Sequence, residues 1–229
     1  MYFKEQQTIL IHVPKTAGNS ITTALLKYSS DHMILRTHQD GKDRFEVRGD
    51  ITPNKHATLQ DYYNVLGKSL FEHKIVVTAR NPIDRAISLY FSPSENLVLP
   101  IRARFVKAVA NSLGVDVSFE PEVWTYKQPP LSIEVFEEFV RSSNTICDYL
   151  RVNDELVAPH LVIHQENLSA DYSELLRLLG LPQRGLSQHV NKSAANRSAI
   201  VELRENPLVQ KVCKEVFRED FEFLPEYVE

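Results

Sequence analysis

The sequence predicts an α/β fold with a central, mostly parallel sheet flanked by helices. Two observations carry this. Three short apolar runs, in "TILIHV", "KIVVTA" and "HLVIHQENL", have the continuous, β-branched character of strands covered on both faces. Each is followed by a stretch with helical spacing of its apolar residues, and strands that alternate with helices build a parallel sheet with helices on both sides. At 229 residues the chain is long enough for a substantial core, and its thinly spread glycines and lack of repeats fit a single domain, residues 1–229.

The first run, Thr8 to Val13, is predicted as a strand, and "NSITTALLKYSS" follows as a helix with Ile21, Ala24, Leu25 and Tyr28 on one face. Thr58 is placed to cap a helix that starts beside it. The second strand is Lys74 to Ala79; after Arg80, Asn81 serves as N-cap and Pro82 as first helical residue of "IDRAISLYF". The third strand lies near Leu161 to His164. In the helix after it, Asp171 and Glu174 have the spacing of a capping box, and Leu175, Leu176 and Leu179 form the buried stripe. Gly180 ends that helix and Pro182 forbids its resumption. Near the end, Asn206 and Pro207 start another helix lined by Val209, Val212, Cys213, Val216 and Phe217.

Residues 92–131 break the alternation. "FEPEVWTYKQPP" is rich in proline and aromatics without periodicity, and long irregular excursions from a compact domain often form binding loops. This stretch is the expected binding insertion that sets specificity, with Trp124 and Tyr126 able to stack on a flat ligand or simply to pack.

Composition narrows the function. A formal net charge of −4 argues against a general nucleic-acid binder, so any bound anion must be held by local groups. No apolar run is long enough to span a bilayer, and "MYFKEQQTIL" lacks the charged, apolar, small-residue order of an export signal. The two cysteines, Cys147 and Cys213, make neither a disulfide framework nor a zinc site and read as small buried apolar residues. No metal is expected.

The chemistry gathers at the ends of the first two strands. In "HVPKTAGNS" the amides that open a helix have no intrahelical partners, and the helix dipole adds partial positive charge, so the turn from Thr16 to Ser20 suits a phosphate. Gly18 would let backbone approach the ligand, Thr16 and Ser20 would add hydroxyls, and Lys15 would add a mobile charge. The Gly-x-x-x-x-Gly-Lys-Ser/Thr spacing of a nucleoside-triphosphate loop is missing. "TARNPIDRAIS" puts Arg80, a planar fork for phosphate oxygens, at the second strand end, with Ser88 two turns into the helix. Neighbouring strands would turn both groups toward one crevice, where a nucleotide with two separated phosphates could lie.

On these motifs the chain resembles the sulfotransferases that use 3′-phosphoadenosine 5′-phosphosulfate (PAPS), especially the carbohydrate and bacterial types with "HxPKTxGxS" and "RNPxDRxxS". The resemblance implies a P-loop NTPase-like three-layer fold and no Mg²⁺ site, since the donor carries a sulfuryl group and no γ-phosphate. It implies that Lys15, Thr16, Ala17, Gly18, Asn19 and Ser20 hold the 5′-phosphosulfate and that Arg80 and Ser88 hold the 3′-phosphate. A late basic loop, with Lys192, Ser193 and Arg197, would close over the nucleotide. Ala17 and Asn19 stand where glycine and threonine are commoner, and alanine fits there with a negative φ.

The implied reaction is sulfuryl transfer from PAPS to an acceptor hydroxyl, with a carbohydrate or glycan favoured, leaving adenosine 3′,5′-bisphosphate (PAP). A peptide tyrosine or small alcohol is the alternative acceptor. A divergent P-loop kinase and a noncatalytic nucleotide binder are the alternative classes. The base expected by resemblance is His56 in "NKHATLQDYY", its imidazole titrating ordinarily near pH ~6.5; Asp50 or Glu95 could serve instead. Lys15 would also follow charge on the leaving oxygen. His12, pointing from a strand, reads as a core histidine. Lacking the anchor of secretory-pathway relatives, the chain is expected in a bacterial-type cytoplasm.

Overall fold

A computed structural model describes residues 1–35, 45–92, 97–98, 125–126, 129–186 and 197–228. Its central sheet contains β1 (Tyr2–Phe3), β2 (Thr8–Ile11), β5 (Lys74–Ala79) and β10 (Leu161–His164), side by side in the order β1-β2-β5-β10. Three two-stranded pairs lie outside it: β3 (His32–Ile34) with β4 (Glu46–Arg48), β6 (Leu97–Val98) with β7 (Thr125–Tyr126), and β8 (Arg151–Val152) with β9 (Glu155–Leu156). The helices are α1 (Gly18–Leu25), α2 (Leu59–Leu66), α3 (Pro82–Tyr90), α4 (Ile133–Arg141), α5 (Leu168–Leu178), α6 (Arg197–Glu205), α7 (Pro207–Val216) and α8 (Arg218–Phe223).

β2, β5 and β10 are mutually parallel, with Ile11 opposite Val77 and Ala79 opposite His164. β1 adds an antiparallel edge, Tyr2 opposite Ile9, which a two-residue strand is too short to announce in sequence. Successive side chains leave a strand on opposite faces. Ile9, Ile11, Ile75 and Val77 therefore pack with α2 and Leu150, while Leu10, Val76 and Ile163 pack with α1 and α5. The apolar runs are continuous because both faces are covered. A third apolar cluster joins α3, α4, α6, α7 and α8 through Ile87, Tyr90, Phe136, Leu203 and Phe217.

Most predicted boundaries hold. Thr58 and Asp61 cap α2 reciprocally: the Asp61 amide donates to Thr58 Oγ1 at 3.2 Å and the Thr58 amide to Asp61 Oδ2 at 2.8 Å. Asn206 Oδ1 accepts from the amides of Leu208 and Val209, with Pro207 in the first position. Gly180, at φ 64°, closes α5 while the Leu181 amide reaches back to the Leu176 carbonyl at 2.8 Å. Cys147 and Cys213 are both buried, and burial pushes the Cys213 thiol up to about 12.

Two boundaries are corrected. β2 stops at Ile11 rather than Val13, because the Val13 amide donates to Thr78 Oγ1 instead of a ladder carbonyl. α5 begins at Leu168, so Asp171 lies inside its first turn and does not cap it; its carboxylate instead accepts the amide and Nδ1 of His164 at 2.7 and 2.8 Å. The expected insertion at 92–131 falls largely outside the described residues, apart from Ser92, the β6–β7 backbone pair and the chain from Pro129 onward.

Candidate functional site

The ends of β2 and β5 are adjacent, and each leads through a short turn into a helix, but the two helix starts differ. α3 is sealed by its own residues: Asn81 Oδ1 accepts from the amides of Ile83 (3.0 Å) and Asp84 (3.3 Å). α1 begins at Gly18 with Ala17 as N-cap, and no side chain caps it. Of the two, α1 is the start whose positive dipole end carries no side-chain cap.

The approach to α1 is wound tightly. Lys15 (φ 69°) and Ala17 (φ 63°) both occupy the left-handed region, either side of Thr16. Ala17 therefore does not have the negative φ expected of an alanine here. Each such residue costs roughly 1–2 kcal/mol, and alternating hands along a short backbone turn successive N–H groups into one concavity that suits an anion. The strain is held by the neighbouring turn.

That hold comes from three side chains on β5, α3 and the turn between them. Thr78 Oγ1 accepts from the Val13 amide (3.1 Å) and lies 2.6 Å from Thr16 Oγ1. Arg80 Nη1 donates to the Lys15 carbonyl at 3.4 Å, and Arg85 Nε to the Pro14 carbonyl at 3.3 Å. Arg85 is 1% exposed, donates Nη1 to the Asn144 carbonyl at 2.9 Å, and feels the buried carboxylate of Asp220. Sequence reasoning missed Thr78 and Arg85. The signal for Arg85 was its place on the buried stripe of α3, beside Ala86 and between Pro82 and Tyr90.

Two predicted roles change. The Thr16 hydroxyl is fully buried and points inward, 2.7 Å from the Val13 carbonyl, so Thr16 can offer a ligand only its backbone. Gly18 also makes room for a protein neighbour: a Cβ there would lie 2.0 Å from His12 Cδ2. Lys15 and Asn19 are half-buried along the loop, Ser20 is buried, and Ser88 is half-buried on α3. Arg197 is exposed at the start of α6, whereas Lys192 and Ser193, with Glu95 and Trp124, lie outside the described residues, as does the side chain of Tyr126.

His56 lies on the same side as Lys15, whose charge it feels. Its Nδ1 is 2.9 Å from the His12 carbonyl. A carbonyl only accepts, so Nδ1 carries the proton and Nε2 keeps a lone pair. Burial, followed by the charges of Lys55 and Lys15 against the His12 hydrogen bond and Glu46, lowers His56 to about 4, below the ordinary value the sequence suggested. The ring is neutral at pH 7. Asp50, the alternative base, is exposed beyond β4.

The third strand end borders the same region. The Asn81 amide donates to Glu166 Oε1 at 3.1 Å, and Tyr227 Oη donates to Glu166 Oε2 at 2.5 Å, bringing the Pro225–Tyr227 turn to the Arg80 corner. Asp84 pairs with Arg204 of α6 at 3.0 Å. Among the described residues, no three His, Cys, Asp or Glu side chains gather as a metal site, and no helix is long and apolar enough to cross a membrane.

Comparison with known proteins gives one family. The family model described as "Sulfotransferase family" matches residues 1–227, which include every strand end and turn of the site. No curated protein matches, and no solved structure matches.

Proposed function

This chain belongs to the sulfotransferase family, and we propose that it moves a sulfuryl group from PAPS to a carbohydrate or glycan hydroxyl on a P-loop NTPase-like three-layer scaffold. The observation that carries the proposal is the uncapped start of α1, wound through two left-handed residues, beside a neutral histidine with a lone pair on Nε2. PAPS supplies a sulfuryl group already activated by its phosphate leaving group.

The chain supplies position and charge. Backbone amides from Thr16 to Asn19 receive the 5′ end of the donor, with Lys15 and Ser20 beside them. Arg80 and Ser88, one helix away, receive the 3′-phosphate. Arg80 is half-buried, so its fork works in a medium less polar than water. Lys15 stands ready for charge that grows on the leaving oxygen.

His56 Nε2 takes the proton of the acceptor hydroxyl while Nδ1 stays anchored on the His12 carbonyl. A group lowered to about 4 is by itself a weak base at pH 7. Negative charge brought to the loop offsets Lys15 and Lys55 and raises the proton affinity of the ring, so donor binding prepares the base. The carbohydrate acceptor is supported by the likeness of the Pro14–Ser20 and Arg80–Ser88 motifs to carbohydrate-type enzymes.

Calorimetry with PAP in the presence of a chelator, followed by transfer of labelled sulfate from PAPS to glycan, tyrosine-peptide and small-alcohol panels, tests this reading. Metal-independent PAP binding and glycan labelling are expected. Binding of ATP with Mg²⁺ in place of PAP would overturn the donor, and labelling confined to peptides or small alcohols would overturn the acceptor.

A further inference from the structure

We infer that His12 is a positioning residue for the reaction: its side chain is a wedge that fixes the base His56 against the donor loop. The inference rests on the functional reading above and adds a role for a residue that neither binds donor nor accepts the proton.

Four contacts converge on His12. Its carbonyl accepts from His56 Nδ1 at 2.9 Å. Its ring meets the His56 ring edge-on, with centroids 4.6 Å apart and planes at 66°. The Cδ2–Nε2 edge of the ring fills the space where Gly18 lacks a side chain, as the 2.0 Å approach to an added Cβ shows. Its Nδ1 lies 3.4 Å from Thr22 Oγ1, one turn further along α1. One residue thus touches both the first turns of the phosphate-binding helix and the base.

The ring is suited to this by being inert. It is 4% exposed, and burial, with the nearby charge of Lys55, holds it neutral at pH 7. A neutral, enclosed aromatic ring has few rotamers open to it, so it passes the position of α1 to His56 as a rigid spacer. Lys55 on the His56 loop, Lys15 in the donor loop and Glu46 on β4 are the charged groups acting on His56. Removing the wedge frees the ring to tilt off the loop and admits water to it.

The test uses the full chain with His12→Ala, His12→Phe, Gly18→Ala and the double variant His12→Ala/Gly18→Ala. PAP calorimetry reads the loop, kcat for sulfuryl transfer reads the base, and an NMR titration of the His56 ring needs no ligand. His12→Ala is expected to bind PAP within about threefold of wild type yet lose about ten- to a hundredfold in kcat, while His56 titrates closer to its ordinary value. His12→Phe, which keeps a ring in the wedge, recovers most of kcat. Gly18→Ala loses PAP affinity by about tenfold or more and lowers thermal stability; the double variant regains both without regaining kcat. Should His12→Ala not fold, His12→Asn is read by the same criteria.

An unchanged kcat and His56 titration in His12→Ala, or a Gly18→Ala defect that the second substitution does not relieve, overturns the inference. If the wild type neither binds PAP nor transfers sulfate, the functional reading fails. The His56 titration and the thermal rescue of Gly18→Ala then still decide whether His12 is the wedge.

Discussion

Arg85→Met removes a cation that the structure holds almost wholly out of water, and its cost can be worked from the neighbours it leaves. Arg85 is 1% exposed and donates to the carbonyls of Pro14 and Asn144. Its charge faces Asp220, a fully buried carboxylate whose two oxygens accept the amides of Ile146 (2.8 Å) and Cys147 (2.9 Å). Methionine fills most of the volume, so cavity formation contributes little. The loss comes mainly from two buried carbonyls left without their donor, with the more distant carboxylate losing a compensating charge, and together these cost about 3–5 kcal/mol. For a domain of this size each kcal/mol moves the melting temperature by roughly 2–4 °C, so a fall of about 6–20 °C is expected by calorimetry. Adding Asp220→Asn removes the orphaned charge while leaving an oxygen for one amide, and should return part of that loss. PAP affinity should drop as well, because the Pro14 carbonyl anchors the strained loop. A loss below about 1 kcal/mol, or a double variant no more stable than Arg85→Met, would refute the reasoning.

Other expectations are more direct. His56→Ala should lower kcat about 10²–10⁴-fold while leaving PAP affinity nearly unchanged, checked by steady-state kinetics beside calorimetry. Arg80→Ala should weaken PAP about ten- to a hundredfold, and Arg80→Lys should recover little of it, because an ammonium cannot reproduce the fork. The pH dependence of stability has a defined sign. His56 drops from an ordinary 6.5 to about 4 on folding. The unfolded chain therefore takes the proton first, and stability is full above pH 6.5 and lost as pH falls toward 4. The displacement is worth roughly 3 kcal/mol, with His12 acting in the same direction. Melting temperatures measured from about pH 7 to 4 should fall for wild type and fall less for His56→Phe.

The three parallel strands, the helix starts at Thr58, Asn81 and Asn206, and the stop at Gly180 were legible because each depends on residues within one turn of one another. The same locality explains why Lys15, Arg80 and His56 could be singled out: each stands in a short motif beside a strand or helix end. Asp171 shows the limit. Its spacing to Glu174 imitates a capping box, but His164, brought near by the β10 turn, offers its carboxylate an amide and an imidazole nitrogen. Thr16 shows it again, since its hydroxyl turned from the expected ligand toward Val13 and Thr78.

Sequence by itself determined the alternation of strands and helices and the residue types at the two strand ends, because apolar period, capping chemistry and turn preference act over a few residues. Only the tertiary structure decided that Ala17 takes a left-handed backbone, that Gly18 makes room for His12, and that Arg85 is buried beneath the loop. Those outcomes need partners distant in the chain, such as Thr78 for Val13 and Asn144 for Arg85, whose hydrogen bonds outweigh local preference once the strands are side by side.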